Sequence, residues 1–256
     1  MAALQALIFD VDGTLADTEA DGHRPAFNLA FREAGLDWEW DLELYGQLLA
    51  VTGGKERILH YIEGWRPEFL ARPGLGDLVA SLHRRKTAHY LALLRSGAIP
   101  LRPGVLRLLT EARAAGIRLA VATTTTPENV TTLLECAGGH DLPGWFEVIA
   151  AGDVVPAKKP APDIYHYALD RLGLPATACV AIEDSANGVR AALRADLRAL
   201  LVTLSTYTRG EDFSGAVRVV EGLGEPGDSA GATAGEGDCI DLAALFDLHR
   251  RVYGPT

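Results

Sequence analysis

Six side chains in this sequence could do phosphoryl chemistry together: Asp10, Asp12, Thr123, Lys159, Glu183 and Asp184. The apolar run Leu4–Phe9 ends abruptly in Asp10, with Asp12 two positions on and Gly13-Thr14 behind it. Two neighbouring carboxylates repel, and a divalent cation such as Mg²⁺, which takes oxygen ligands, is the natural compensation. A second acidic pair, Glu183-Asp184, closes the apolar run Cys179–Ile182 and strengthens the case for a metal site. Thr123 and Thr124 follow the run Ile117–Ala122, where hydroxyls and the N–H groups of a helix start can hold an anionic oxygen, with Thr125 in support. Lys158 and Lys159, the second directly before a proline in AKKPAPDIY, offer a fixed counterion for such a site. Each segment alone has an ordinary reading: a capped turn, a threonine N-cap, a solvated lysine pair.

Positioning these residues requires a parallel sheet. Short apolar runs bounded by turn residues read as buried strands, and ligand chemistry in open α/β sheets sits beyond their carboxyl ends. If the first strand persists through Asp12, its period of two points Asp10 and Asp12 the same way. Further strands are expected at Val148–Ala151, Ala199–Thr203 and Val217–Val220, and helices at about Gly104–Ala115, from Pro127, and at Asp163–Leu172, Ala186–Ala195 and Asp241–Val252. From Asp17 to about Gly97 the periodicity is helical only, with segments Glu19–Ala34, Leu42–Val51, Lys55–Ile62 and Leu75–Leu94. The fold expected is α/β, with a discontinuous core (1–16 and 98–256) and an inserted helical domain (17–97). The Gly-, Ala- and Ser-rich stretch 222–238 reads as a flexible surface loop.

Composition sets bounds. The 256 residues carry 24 Lys and Arg against 34 Asp and Glu, a net charge of −10 that argues against nucleic-acid or anionic-membrane partners. Three unpatterned cysteines suit a reducing compartment, with Cys179 in the core. The chain enters its first strand almost at once and no apolar run reaches membrane-spanning length, so a cytoplasmic location is expected. Trp38 and Trp40 read as packing of the helical domain, and the run His83–Lys86 as a solvated helix face.

The four strand-end segments, in this order, resemble the motifs of the haloacid dehalogenase superfamily. With TGGKERI at 52–58, EDSANG at 183–188 and YTR at 207–209, nearly the whole chain resembles its CbbY-type phosphatases. The resemblance implies a Rossmann-like core with a helical cap. It also implies Mg²⁺ held by the Asp10 carboxylate, the Asp12 carbonyl and Asp184, with Glu183 direct or through water. Asp10 is then the nucleophile that forms an aspartyl-phosphate, Asp12 the acid and base, and Thr123 and Lys159 the phosphoryl contacts. The implied substrate is a sugar bisphosphate, xylulose-1,5-bisphosphate, hydrolysed to xylulose 5-phosphate. Glu19, Lys55 and Arg57 become substrate contacts, with His23 and Arg24 beside them. A β-phosphoglucomutase-like mutase shares all four motifs, and a sugar-phosphate sensor is the non-enzymatic alternative. A monomer is expected.

Overall fold

The computed structural model describes residues 3–51, 53–227 and 239–254. It divides into two compact units, Met1–Asp17 with Pro100–Thr256, and Thr18–Ile99. Of the expected loop at 222–238, residues 228–238 lie outside the described residues.

The larger unit is built on a six-stranded sheet, β3-β2-β1-β4-β5-β6, whose strands pair in parallel. The strands are β1 (Ala6–Phe9), β2 (Arg118–Thr123), β3 (Phe146–Ala151), β4 (Cys179–Glu183), β5 (Leu200–Thr203) and β6 (Arg218–Val220). β1 lies between β2 and β4, with Ile8 opposite both Ala120 and Ala181. All four of its residues are buried, as an apolar strand covered on both faces must be. The crossovers carry α5 (Val105–Ala114), α6 (Pro127–Gly138), α7 (Asp163–Leu172) and α8 (Ala186–Arg194), and α9 (Leu242–Tyr253) follows β6 in the chain. Ile8, Ala122, Ala181, Ile164, Ala168 and Val189 share one apolar core that includes Cys179.

The smaller unit is helical: α1 (Arg24–Glu33), α2 (Leu42–Leu48), α3 (Gly54–Trp65) and α4 (Leu75–Arg95). The helix expected over Glu19–Ala34 is split. Glu19–His23 forms a π turn in which the Arg24 N–H reaches the Glu19 carbonyl, because Pro25 has no N–H to continue an α-helical ladder. Trp38 and Trp40 are core residues, as expected. Trp40 lies 4.5 Å from Phe27 and 4.9 Å from Phe31, ring centre to ring centre, and Trp38 lies 5.4 Å from Phe31. Asn28 fixes the extended segment before α2, accepting from the Trp40 N–H at 2.8 Å and donating to its carbonyl at 2.9 Å.

Candidate active site

The strand does not persist through Asp12. Hydrogen-bonded pairing of β1 ends at Phe9; the Asp10 N–H still donates to Ile182 O at 3.0 Å, and the chain then turns. Val11 O accepts from the N–H groups of Thr14, Leu15 and Ala16, so a tight loop rather than a pleat orients both aspartates. Gly13 makes that loop possible. Its φ is +85°, and a Cβ there would stand 1.9 Å from Asp184 Oδ2. Arg102 ties the loop from below by donating to Gly13 O, and to Leu204 O at 2.5 Å and Glu221 O at 3.1 Å.

Asp10 is buried and Asp12 half-buried. Lys159, from the loop between β3 and α7, donates to Asp10 Oδ1 at 2.6 Å and to Glu183 Oε1 at 2.6 Å. Tyr165 on α7 donates to the same Glu183 oxygen at 2.5 Å. Asp10, Glu183 and Asp184 each offer a carboxylate oxygen, all within 4.8 Å of one another. Three buried carboxylates, two of them on one ammonium, offer the hard oxygen donors that fit a metal ion preferring oxygen. The electrostatics agree. Burial raises the Asp10 carboxyl to about 7, against the pull of Lys159, with Glu183 and Asp12 adding to the rise. Asp184 is pushed well above the usual carboxylate range by burial and by Asp10 and Glu183. Burial alone would lower the Lys159 ammonium, but Asp10 and Glu183 raise it, so it stays charged.

Thr123 closes β2, the strand beside β1, and is buried; its hydroxyl accepts from the Thr125 N–H at 3.3 Å. The helix-capping role falls to Thr126, which accepts from the Asn129 N–H at 3.4 Å. Thr124 is exposed, and the Thr125 hydroxyl accepts from Asn129 Nδ2 at 3.4 Å.

In the helical unit the expected contacts separate into groups. Arg57 is buried and donates to Tyr45 Oη at 2.8 Å, and Tyr45 donates to Glu19 Oε2 at 2.5 Å. Tyr45, absent from the sequence reading, therefore joins two residues that were in it. Lys55 is exposed in the first turn of α3, behind Gly53. His23 stacks on Tyr90 at 4.0 Å and its Nδ1 meets Lys86 Nζ at 2.8 Å. Burial holds the His23 imidazole well below its usual range, with Lys86 and Arg57 adding to the effect. Arg24 donates to Trp40 O at 3.4 Å. The solvated-face reading of His83–Lys86 thus needs correction at Lys86, whose ammonium also lies 5.1 Å from the centres of the Phe27 and Tyr90 rings.

The haloacid dehalogenase-like hydrolase family model matches residues 4–196, a span holding every one of these site residues. The chain belongs to the haloacid dehalogenase-like hydrolase family. It is an enzyme, a phosphatase of that family. Protein CbbY from Cupriavidus necator is 49% identical over 225 residues, 88% of each chain. The crystal structure of CbbY from Rhodobacter sphaeroides in complex with phosphate has a TM-score of 0.74 at 46% identity, covering 94% of this chain and 99% of that one. The D10N mutant of that protein, in complex with xylulose-1,5-bisphosphate, gives the same values: TM-score 0.74, 46% identity, 94% and 99% coverage. Among the described residues, no helix is long and apolar enough to cross a membrane.

Within this haloacid dehalogenase-like core, Gly188 was legible only as part of the EDSANG segment. A Cβ on it would stand 1.9 Å from Glu183 Oε2 and 2.0 Å from its carboxyl carbon. Alanine in place of glycine favours a helix by about 1 kcal/mol, whereas overpacking costs about 1–3 kcal/mol. Because Glu183 is held by Lys159 and Tyr165 and cannot retreat, the clash should win. Gly188→Ala is therefore expected to be destabilised by up to about 2 kcal/mol in urea melts and to lose turnover. A variant as stable and active as wild type would show that the carboxylate has room to move.

Proposed function

We propose that this phosphatase removes one phosphate from a sugar bisphosphate, xylulose-1,5-bisphosphate, releasing xylulose 5-phosphate, with Mg²⁺ as cofactor. The observation that carries the reading is the buried junction of Asp10, Lys159 and Glu183, with Asp184 in the same carboxylate cluster, at the carboxyl edge of a parallel sheet. The CbbY relative crystallised with that bisphosphate supports the choice of substrate.

In this reading the Asp10 carboxylate, the Asp12 carbonyl and Asp184 would hold Mg²⁺, with Glu183 direct or through water, and the ion would screen the charge between nucleophile and phosphate. Asp10 attacks phosphorus in line and becomes an aspartyl-phosphate while the sugar oxygen leaves. Asp12, half-buried and two positions beyond the nucleophile, protonates that oxygen and then takes a proton from the water that hydrolyses the acyl phosphate. The Lys159 ammonium and the Thr123 hydroxyl hold the phosphoryl oxygens, with Thr124 and Thr125 flanking them. The inserted unit, 17–97 by sequence, acts as a cap that selects the sugar. Lys55, Arg57 and the N–H groups at the start of α3 take the second phosphate, and Glu19 takes a sugar hydroxyl, with His23 and Arg24 beside it. The enzyme works as a monomer on a small molecule in the cytoplasm.

A phosphate-release assay tests this directly, comparing xylulose-1,5-bisphosphate, ribulose-1,5-bisphosphate and hexose monophosphates with Mg²⁺. One phosphate per xylulose-1,5-bisphosphate consumed, at the highest kcat/KM of the panel, is expected. Isomerised sugar phosphate without phosphate release would replace the hydrolase outcome with a mutase, and preference for a monophosphate would remove the two-anion role of the cap.

A further inference from the structure

An ammonium has three N–H donors and no acceptor. Lys159 commits two of them, one to Asp10 at 2.6 Å and one to Glu183 at 2.6 Å, and the third remains for a phosphoryl oxygen. That third donor is aimed only as well as its two anchors are fixed. Glu183 is the anchor that is not the nucleophile, and it is fully buried. Its Oε1 takes a second donor, the Tyr165 hydroxyl at 2.5 Å, and its Oε2 accepts the Asp184 N–H at 3.2 Å. Tyr165 is itself fully buried, and Lys159 Nζ lies 5.2 Å from the centre of its ring. One side chain thus grips the lysine twice, through a shared carboxylate oxygen and through its π face.

We propose that Tyr165 is a positioning residue for phosphoryl transfer: its hydroxyl pins the oxygen that Glu183 shares with Lys159, and its ring seats the ammonium, so that one lysine donor stays directed at the transferring group. The inference rests on the phosphoryl-transfer reading above. The physical need is a competition. Asp10 and Glu183 both hold Lys159, with Asp184 in the same carboxylate cluster, and a Glu183 free to turn would draw the ammonium toward itself. A hydroxyl donated to Glu183 offsets part of that carboxylate's charge and removes its freedom to turn. More of the lysine's field is then left for Asp10 and for the charge that develops on the phosphoryl oxygens. Tyr165 acts through Lys159, so its effect should fall on the transition state and leave substrate binding nearly untouched.

Tyr165→Phe separates the hydroxyl from the ring. Loss of a hydrogen bond to a charged group predicts a fall in kcat of roughly tenfold to a hundredfold, with KM within about twofold of wild type and an intact fold by circular dichroism. The second readout needs no turnover. In metal-free protein the ¹⁵N signal of the Lys159 ammonium, assigned by its loss in Lys159→Met, should be sharp and protected from exchange in wild type, and broadened or lost in Tyr165→Phe. Wild-type kcat with an unchanged lysine signal would overturn the proposal, as would a loss of kcat with the lysine signal intact. Should wild type release phosphate from no sugar bisphosphate, the substrate reading fails by itself, and the lysine signal still decides whether Tyr165 holds Lys159.

Discussion

Asp10→Asn should lower turnover by at least about 10⁴-fold without unfolding the protein, the scale at which removing a covalent nucleophile acts. The asparagine amide has the shape of the carboxylate but lacks its nucleophilicity, and the other polar groups of the site retain partners. Lys159 keeps its bond to Glu183, Tyr165 keeps its own, and the Asp10 backbone N–H that ties β1 to β4 is untouched. Electrostatics favour the neutral side chain, because Asp10 is a carboxyl raised to about 7 by burial and by its acidic neighbours, against the pull of Lys159. The mutant should therefore melt at or above the wild-type temperature in metal-free buffer near pH 8. Phosphate release under saturating substrate and thermal denaturation followed by circular dichroism check the two halves independently. Residual kcat above roughly one per cent of wild type would remove Asp10 as nucleophile, and a large drop in Tm would show that its carboxylate is structural.

Why the sheet and its acidic edge could be read from the chain, while the supports of the site could not, follows from what each signal depends on. β1, β2 and β4 are short runs of buried apolar residues that stop at Asp10, at Thr123-Thr124 and at Glu183-Asp184. Burial on both faces writes a parallel strand as a continuous apolar run, so its end is marked by the first polar residue. Tyr165 lacks such a mark. It sits on α7 at a spacing that also suits the core, and only the fold brings its hydroxyl to Glu183. The same holds for Tyr45, which is buried among aromatic rings and reaches Glu19 across 26 positions. Glu183 and Asp184 look alike as adjacent acids, yet Glu183 is occupied by Lys159 and Tyr165, and Asp184 lies against Gly13. Lys86 misleads for a related reason. A run of basic residues says nothing of the His23 and Phe27 rings that another part of the chain brings to one of them.

The same crowding predicts how stability depends on pH and on metal. In the unfolded chain Asp10 loses its proton near pH 4. In the folded, metal-free protein it holds the proton to about 7, and Asp184 is raised in the same direction by burial and by Asp10 and Glu183. Between those limits the folded state binds more protons than the unfolded state, so stability must fall as pH rises and level off above the folded value. For Asp10 alone the difference corresponds to about 4 kcal/mol lost between acid and pH 8. Mg²⁺ reverses the balance, because oxygen coordination requires ionised carboxylates and its binding releases the protons that Asp10 and Asp184 retain. Saturating Mg²⁺ should then raise Tm by roughly 5 °C or more at about pH 8 and by much less at about pH 5.5, where the protons compete. Asp184→Asn should lose most of the gain, since it removes a proposed ligand and part of the repulsion that the ion relieves. Differential scanning calorimetry with and without Mg²⁺ at the two pH values measures each quantity, and a Mg²⁺-induced shift of equal size at both would mean that the ion binds without displacing protons from this cluster, somewhere other than the edge of the sheet.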